Sequence, residues 1–164
     1  MKPAAQAATL IATVAVMATL FAMVEIQIEG SVGWGASLPT WHVQDHWLLD
    51  LLWGGRTMTG YHAWVFPFIT VVFHLPFALM ATWSWRLELR ALGCLMWFWI
   101  IEDCLWFALN PAFGWSALNP ERATWHPRWL FGLPVEYTLF GVLGAVLIVW
   151  SFRPRPAIGG DATF

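Results

Sequence analysis

Four long apolar stretches constrain the fold of this chain more than any other feature. They cover residues 5–28, 61–83, 91–109 and 133–152, and each has roughly the 20 residues that an α-helix needs to cross a bilayer. Because backbone polar groups find no water inside a membrane, such stretches fold as helices. The sequence therefore predicts an all-α integral membrane protein, a four-transmembrane-helix bundle in a single domain covering residues 1–164.

The composition favours a membrane location. The chain is 59% hydrophobic and only 11% charged, whereas a water-soluble surface needs about 25–35% charged residues. The small net charge of −2, with no basic stripe, excludes nucleic acid as a partner. Fourteen tryptophans are typical of a chain whose amphipathic rings lie between lipid and water. Membrane lipid is therefore the first expected partner.

The loop between the first two stretches is predicted to contain a short interfacial helix. Residues 41–53 are apolar but too short to cross a bilayer, and they carry two Asp and two His. This loop (29–60) and the later loop 110–132 are rich in Trp, which favours ordered outer loops over disorder. The tail 153–164 is expected to be flexible.

Capping and breaking residues predict where several helices begin and end. Thr59 is a cap for the second span, and Asn110 with Pro111 ends the third. Asn119 and Pro120 are predicted to open a short surface helix in the outer loop, since they fit the cap and first position.

The basic residues predict the orientation in the membrane. Five fall on one side of the four spans and three on the other, and the richer side is expected to be cytoplasmic. Both termini would then lie in the cytoplasm, with the long loops facing the periplasm of a bacterial inner membrane. The richer side holds Lys2, Arg86, Arg90, Arg153 and Arg155; the other holds Arg56, Arg122 and Arg128.

Two adjacent carboxylates, Glu102 and Asp103, lie within the third apolar stretch. An Asp at the centre of a membrane helix costs roughly 2.5–3.5 kcal/mol, so such groups persist with a partner or a task. Adjacent helical side chains point about 100° apart and cannot share one narrow contact. We expect one to be tied to Arg56, Arg122 or Arg128 and the other to serve chemistry; the alternative is a purely structural network for both. Glu102 and Asp103 are the candidate catalytic residues.

Most other ionisable groups are predicted to lie at the same outer end of the bundle. Helical bundles can gather such groups into a metal site, and mixed oxygen and nitrogen donors suit Zn, Fe, Mn or Cu. The only recognised helical ligand spacing is His42-x-x-x-His46. The candidate metal ligands are Glu25, His62, Glu102, Asp103, His126 and Glu136.

Each candidate also has a structural interpretation. Glu136 complements a helix N-terminus, His126 anchors the chain at the interface, and Glu25 with Glu29 reaches headgroup water. His74, beside Pro76, is interpreted as a neutral histidine that bonds a carbonyl freed by the proline.

The tryptophans of the outer loops form either an interfacial belt or the roof of a cavity for a lipophilic ligand such as a lipid, quinone or isoprenoid. The cavity interpretation gives the candidate substrate-binding residues Trp106, Trp125, Tyr61 and Tyr137.

Two functions are favoured by the sequence; a third, a carrier or channel that uses the carboxylates as ion ligands, is weakened because the inner half offers no polar path. The first is a membrane-embedded protein with an outward-facing carboxylate and histidine site, either a metal-dependent enzyme or a redox or proton-transfer protein acting on a lipophilic substrate. The alternative is a non-catalytic accessory or assembly subunit of a larger membrane complex. Gly141, Gly144 and Ala145 provide small residues for a helix contact, either internal or within a homo-oligomer.

Overall fold

The computed structural model describes residues 2–153, so the predicted flexible tail lies almost wholly outside the described residues. Helices dominate this part of the chain. They are α1 (Pro3–Glu29), α2 (Trp47–Trp53), α3 (Gly60–Leu79), α4 (Trp85–Leu109) and α5 (Val135–Ser151). Two short antiparallel hairpins lie between them: β1 (His42–Val43) with β2 (Met58–Thr59), and β3 (Trp129–Leu130) with β4 (Leu133–Pro134).

The predicted all-α class is confirmed. By length and composition, helices α1, α3 and α4 are each long and apolar enough to cross a membrane. Helix α5 is apolar but shorter, with 17 residues, and spans about 25 Å.

Helix ends follow local capping chemistry. The Thr59 hydroxyl accepts the His62 backbone N–H, which confirms the predicted cap of α3. Asn110 ends α4, also as predicted. However, α4 begins at Trp85 rather than near residue 91, because the Ser84 hydroxyl accepts the Leu87 N–H and the polar first turns continue the helix. Helix α3 ends at residue 79, four residues before the predicted end.

Two sequence predictions in the outer loops are wrong. His42 lies in β1 and His46 caps α2, so the two histidines do not share a helix face. The Asn119 side chain accepts the backbone N–H groups of Glu121 and Arg122, as a helix cap would, but residues 120–122 form only a turn and no helix opens at Pro120. A helix is present within residues 41–53, but it is shorter than predicted, since β1 occupies its expected first turn.

Helix α4 is the centre of the bundle and packs most extensively against α5 and α1. At the contact with α5, Gly93 and Gly144 face each other closely enough that neither has room for a methyl group. The small residues of α5 therefore serve an internal contact. The outer end of the bundle is the end at which α1 and α4 stop and α3 and α5 begin. There, Trp106 and Phe107 pack with α1 beneath the loop 110–128. This packing fixes which sides of α4 carry Glu102 and Asp103.

Candidate functional site: a carboxyl-lined cavity at the outer end of the bundle

Glu102 faces helix α1 and belongs to a group of acids. It is buried, and its carboxyl group approaches that of Glu25 within hydrogen-bonding reach. The Tyr61 hydroxyl donates to Glu25 Oε1 over 2.8 Å. Among the described ion pairs, none brings an arginine or lysine to Glu25 or Glu102. Two carboxyl groups in such contact repel each other unless a proton or cation lies between them.

Asp103 faces α5 and the loop before it, where it begins a chain of polar contacts. The Tyr137 hydroxyl donates to Asp103 Oδ2 over 2.7 Å, and His126 Nε2 lies 3.3 Å from the same oxygen. His126 Nδ1 lies 2.8 Å from Glu136 Oε1. The guanidinium group of Arg56 contacts both the Glu136 carboxylate and the His126 ring. This second group therefore has its own cation.

Burial affects the pKa values of His126 and Arg56, the two loop residues among these polar contacts. It lowers the pKa of His126 below its ordinary value, although the neighbouring Asp103 carboxylate acts in the opposite direction. The imidazole is therefore neutral near pH 7. Burial also lowers the pKa of Arg56, but a guanidinium group remains charged in proteins. Arg56 is thus the cation that compensates Glu136 and Asp103.

Glu29 and His62 form the third side of the outer end. His62 Nδ1 lies 2.7 Å from the Thr59 hydroxyl oxygen, and its Nε2 lies 3.7 Å from Glu29 Oε1. The ring of Trp34 stacks on His62 with centroids 4.0 Å apart. The backbone N–H groups of Trp34 and Gly35 lie near the Glu29 carboxyl group. The outer loop thus orients this carboxylate.

A cavity of about 450 Å³ connects these polar groups with the apolar flanks of the bundle. Its polar end includes Glu25, Glu29, Arg56, Asp103 and Glu136. Its walls are apolar side chains of α3, α4 and α5, including Phe66, Leu95, Met96, Trp99, Leu139 and Phe140. Leu139 is 58% exposed, so the cavity borders the exposed apolar surface of α5. The result is an elongated space with one polar end.

Four buried polar atoms around the polar end have no hydrogen-bond partner within the described part of the chain. They are Glu29 Oε1, Glu102 Oε1, Trp106 Nε1 and His126 Nε2. The last lies 3.3 Å from Asp103 Oδ2 as an ion-pair contact without the geometry of a hydrogen bond. A buried polar atom without a partner costs about 1–3 kcal/mol. Glu29 and Trp106 line the cavity, as does Glu25, which lies beside Glu102. A molecule in the cavity can therefore satisfy Glu29 Oε1 and Trp106 Nε1.

The six predicted metal ligands all lie near the outer end but fall into separate groups. Glu25 and Glu102 meet on one side of α4, whereas Asp103, His126 and Glu136 meet on the other. Across the described residues, no set of three or more His, Cys, Asp or Glu is arranged to hold a metal ion. Of the predicted substrate-binding residues, Trp106, Trp125 and Tyr137 line the cavity, and Tyr61 bonds Glu25.

Several structural interpretations from the sequence do not fit. Glu25, Glu29 and His126 are buried rather than in contact with headgroup water or the interface. His74 Nδ1 bonds the carbonyl of Thr70, not the carbonyl of Val72 that Pro76 frees, and its Nε2 lies 2.9 Å from Glu88 Oε1. With Trp83 donating to the same Glu88 carboxylate, the inner end has a polar cluster that sequence analysis overlooked.

Sequence analysis also underrated Arg56 and Trp34 as parts of the site. Arg56 is the single lysine or arginine in residues 29–60, and this isolation among acids and aromatics was the available signal. It lies over the Trp34 ring at 5.0 Å from the centroid. Nothing in the local pattern distinguishes Trp34 from the other loop tryptophans.

No family model, curated protein or solved structure matches this chain. The functional interpretation therefore depends on the geometry of the cavity and its polar end.

Proposed function

We propose that this chain is a four-span membrane protein that binds a lipophilic molecule in the outward-facing cavity and exchanges a proton with its polar end. The observation that carries the proposal is one elongated space that has apolar walls and ends among carboxyl groups. Its volume lies in the range of about 300–1,000 Å³ that is typical of small-molecule sites.

The apolar walls support a lipophilic ligand. Leu92, Leu95, Met96, Trp99 and Asp103 line the cavity at helical spacing, so a single face of α4 runs from apolar side chains to a carboxylate. Helices α3 and α5 add Phe66 and Phe140 on either side. A molecule with an apolar body and one polar end fits this gradient, and it can enter from the surrounding lipid.

The acids at the polar end support proton transfer. Glu25 and Glu102 approach each other without an arginine or lysine among their described ion pairs, so a proton between them relieves their repulsion. Tyr61 donates a hydrogen bond to Glu25, and Glu29 adds a further carboxyl group that lines the cavity. A carboxyl group held in this way can donate a proton to a ligand within reach or accept a proton from it. Metal-dependent chemistry, the other class suggested by the sequence, would require the separate groups of ligands to rearrange.

The orientation is part of the proposal. Arg86 and Arg90 begin α4 at the end opposite the cavity, and Arg153 follows α5 at that same end. The positive-inside rule places this end in the cytoplasm and the cavity at the periplasmic side of a bacterial inner membrane. Alkaline phosphatase fused after residue 58 should be active, whereas a fusion after residue 82 should be inactive.

Photocrosslinking tests the ligand site. A diazirine-bearing alkyl probe is added to the full chain in nanodiscs, and the labelled peptides are mapped by mass spectrometry. Met96→Trp fills the cavity and should abolish labelling of its walls. Val142→Trp, at a lipid-facing position of α5, is the matched control and should leave labelling unchanged. Equal labelling of all lipid-facing residues in both variants would contradict the proposal.

A second candidate is an accessory or assembly subunit of a larger membrane complex. The observation that favours it is a set of exposed aromatic side chains on the outer loops. These are Trp41, Trp47, Trp115 and Phe131. Purification in a mild detergent distinguishes the two functions, because a stoichiometric partner protein supports the subunit role and a lone, ligand-loaded chain opposes it.

A further inference from the structure

We infer that the ligand of this cavity is a lipophilic amine, bound as its ammonium ion against Glu25 and Glu29. This inference rests on the proposed function and specifies the chemistry of the ligand's polar end. It is carried by the balance of charge, the unpaired atoms and the aromatic walls at that end of the cavity.

The charge balance at the polar end favours a cation. Five carboxyl groups meet there, whereas the partly buried guanidinium group of Arg56 contacts Glu136. Arg128 also lines the cavity, but it is exposed to solvent. The remaining acids on the α1 side have no arginine or lysine among the described ion pairs. They are Glu25, Glu29 and Glu102.

Glu29 is the most specific feature of this side. It is 6% exposed and lines the cavity, and Oε1 has no hydrogen-bond partner among the described residues. His62 Nε2 lies 3.7 Å from this oxygen, beyond hydrogen-bonding distance. Glu29 is also the last residue of α1, and the C-terminal end of a helix attracts cations. An ammonium group, which donates three hydrogen bonds, satisfies this oxygen and reaches Glu25.

The aromatic walls fit the same head group. Trp34, Phe66, Trp99 and Trp106 line the cavity, and the face of an aromatic ring attracts a cation within about 6 Å. The Arg56 guanidinium already lies over Trp34, so a cation is compatible with this environment. A carboxylate head would be repelled by the acids. A hydroxyl head donates one hydrogen bond and leaves the excess charge unbalanced.

Three probes with the same alkyl chain test the inference: dodecylamine, dodecan-1-ol and dodecanoic acid. Each is titrated against the full chain in nanodiscs of neutral lipid, and displacement of the photocrosslinking probe is measured. The amine should bind at least about tenfold more tightly than the alcohol, a difference of about 1.4 kcal/mol, and the acid should not compete.

Variants then locate the amine. Glu29→Gln should weaken amine binding about tenfold and leave alcohol binding unchanged, and Glu25→Gln serves if that variant does not fold. Glu88→Gln, at the inner end of the same bundle beside His74, is the matched control and should change neither affinity. The inference is overturned if the alcohol or the acid binds as tightly as the amine, or if Glu88→Gln weakens the amine equally.

The outcomes also separate this inference from the proposed function. If no probe competes, or if Met96→Trp does not reduce binding, the proposed function itself fails. If all three probes compete equally at the cavity, the ligand site stands and the preference for an amine is refuted.

Discussion

Replacing Gly144 by alanine should destabilise the bundle by separating α5 from α4. A methyl group at this position would lie 2.5 Å from Cδ1 of Trp97 and 3.0 Å from the backbone oxygen of Gly93. Trp97 cannot move freely, because its Nε1 donates to the Gly141 carbonyl over 3.1 Å. Either the indole ring leaves that hydrogen bond or the two helices move apart.

The magnitude follows from these contacts. Overpacking costs about 1–3 kcal/mol, and loss of the Trp97 hydrogen bond adds about 0.5–1.5 kcal/mol. Alanine recovers about 1 kcal/mol through its higher helix propensity. The expected net decrease in the free energy of unfolding is therefore roughly 0.5–3.5 kcal/mol.

Gly141→Ala is the matched control for Gly144→Ala. A methyl group at Gly141 would meet its nearest neighbour, Ile100 Cδ1, at an ordinary 3.8 Å. This variant should be unchanged or up to about 1 kcal/mol more stable. Unfolding in mixed micelles with increasing sodium dodecyl sulfate, followed by tryptophan fluorescence, measures both. Equal stability of the two variants, or a change of oligomeric state in Gly144→Ala alone, would refute the internal contact.

Three further predictions concern the polar end. Infrared spectroscopy should show a protonated carboxyl band that disappears in Glu102→Gln and persists in Glu88→Gln; a band unaffected by Glu102→Gln would contradict the shared proton. Arg56→Met leaves Glu136 without its cation and should lower the free energy of unfolding by roughly 1–3 kcal/mol, less than for a fully buried pair because Glu136 is partly exposed. Because burial lowers the pKa of His126, the unfolded chain takes up that proton first, and stability falls as pH drops below the ordinary histidine pKa. Thermal unfolding from about pH 8 to pH 5 should therefore depend less steeply on pH in His126→Gln, and an unchanged slope would contradict a neutral buried ring.

Local chemistry made some of the fold predictable. Thr59 and Asn110 mark helix ends because their side chains and the following residues act within one turn. The pair His42 and His46 shows the limit of such reasoning. Their spacing suggested one helix face, but pairing of β1 with β2 holds His42 in a strand opposite Thr59. That pairing joins Val43 with Met58, 15 positions later in the sequence, and His42 with Thr59, 17 positions later, which local patterns do not reveal.

The sequence by itself determined that long apolar helices form and that acids and histidines concentrate toward one end, because both properties follow from residue type and helix length. Only the tertiary structure decided how Glu102 and Asp103 divide between two groups. Their side chains diverge on one helix, and the rotation of α4 is set by its packing on α1 and α5. That rotation brings Glu102 to an acid of α1 and Asp103 to His126, and it leaves the cavity beside them.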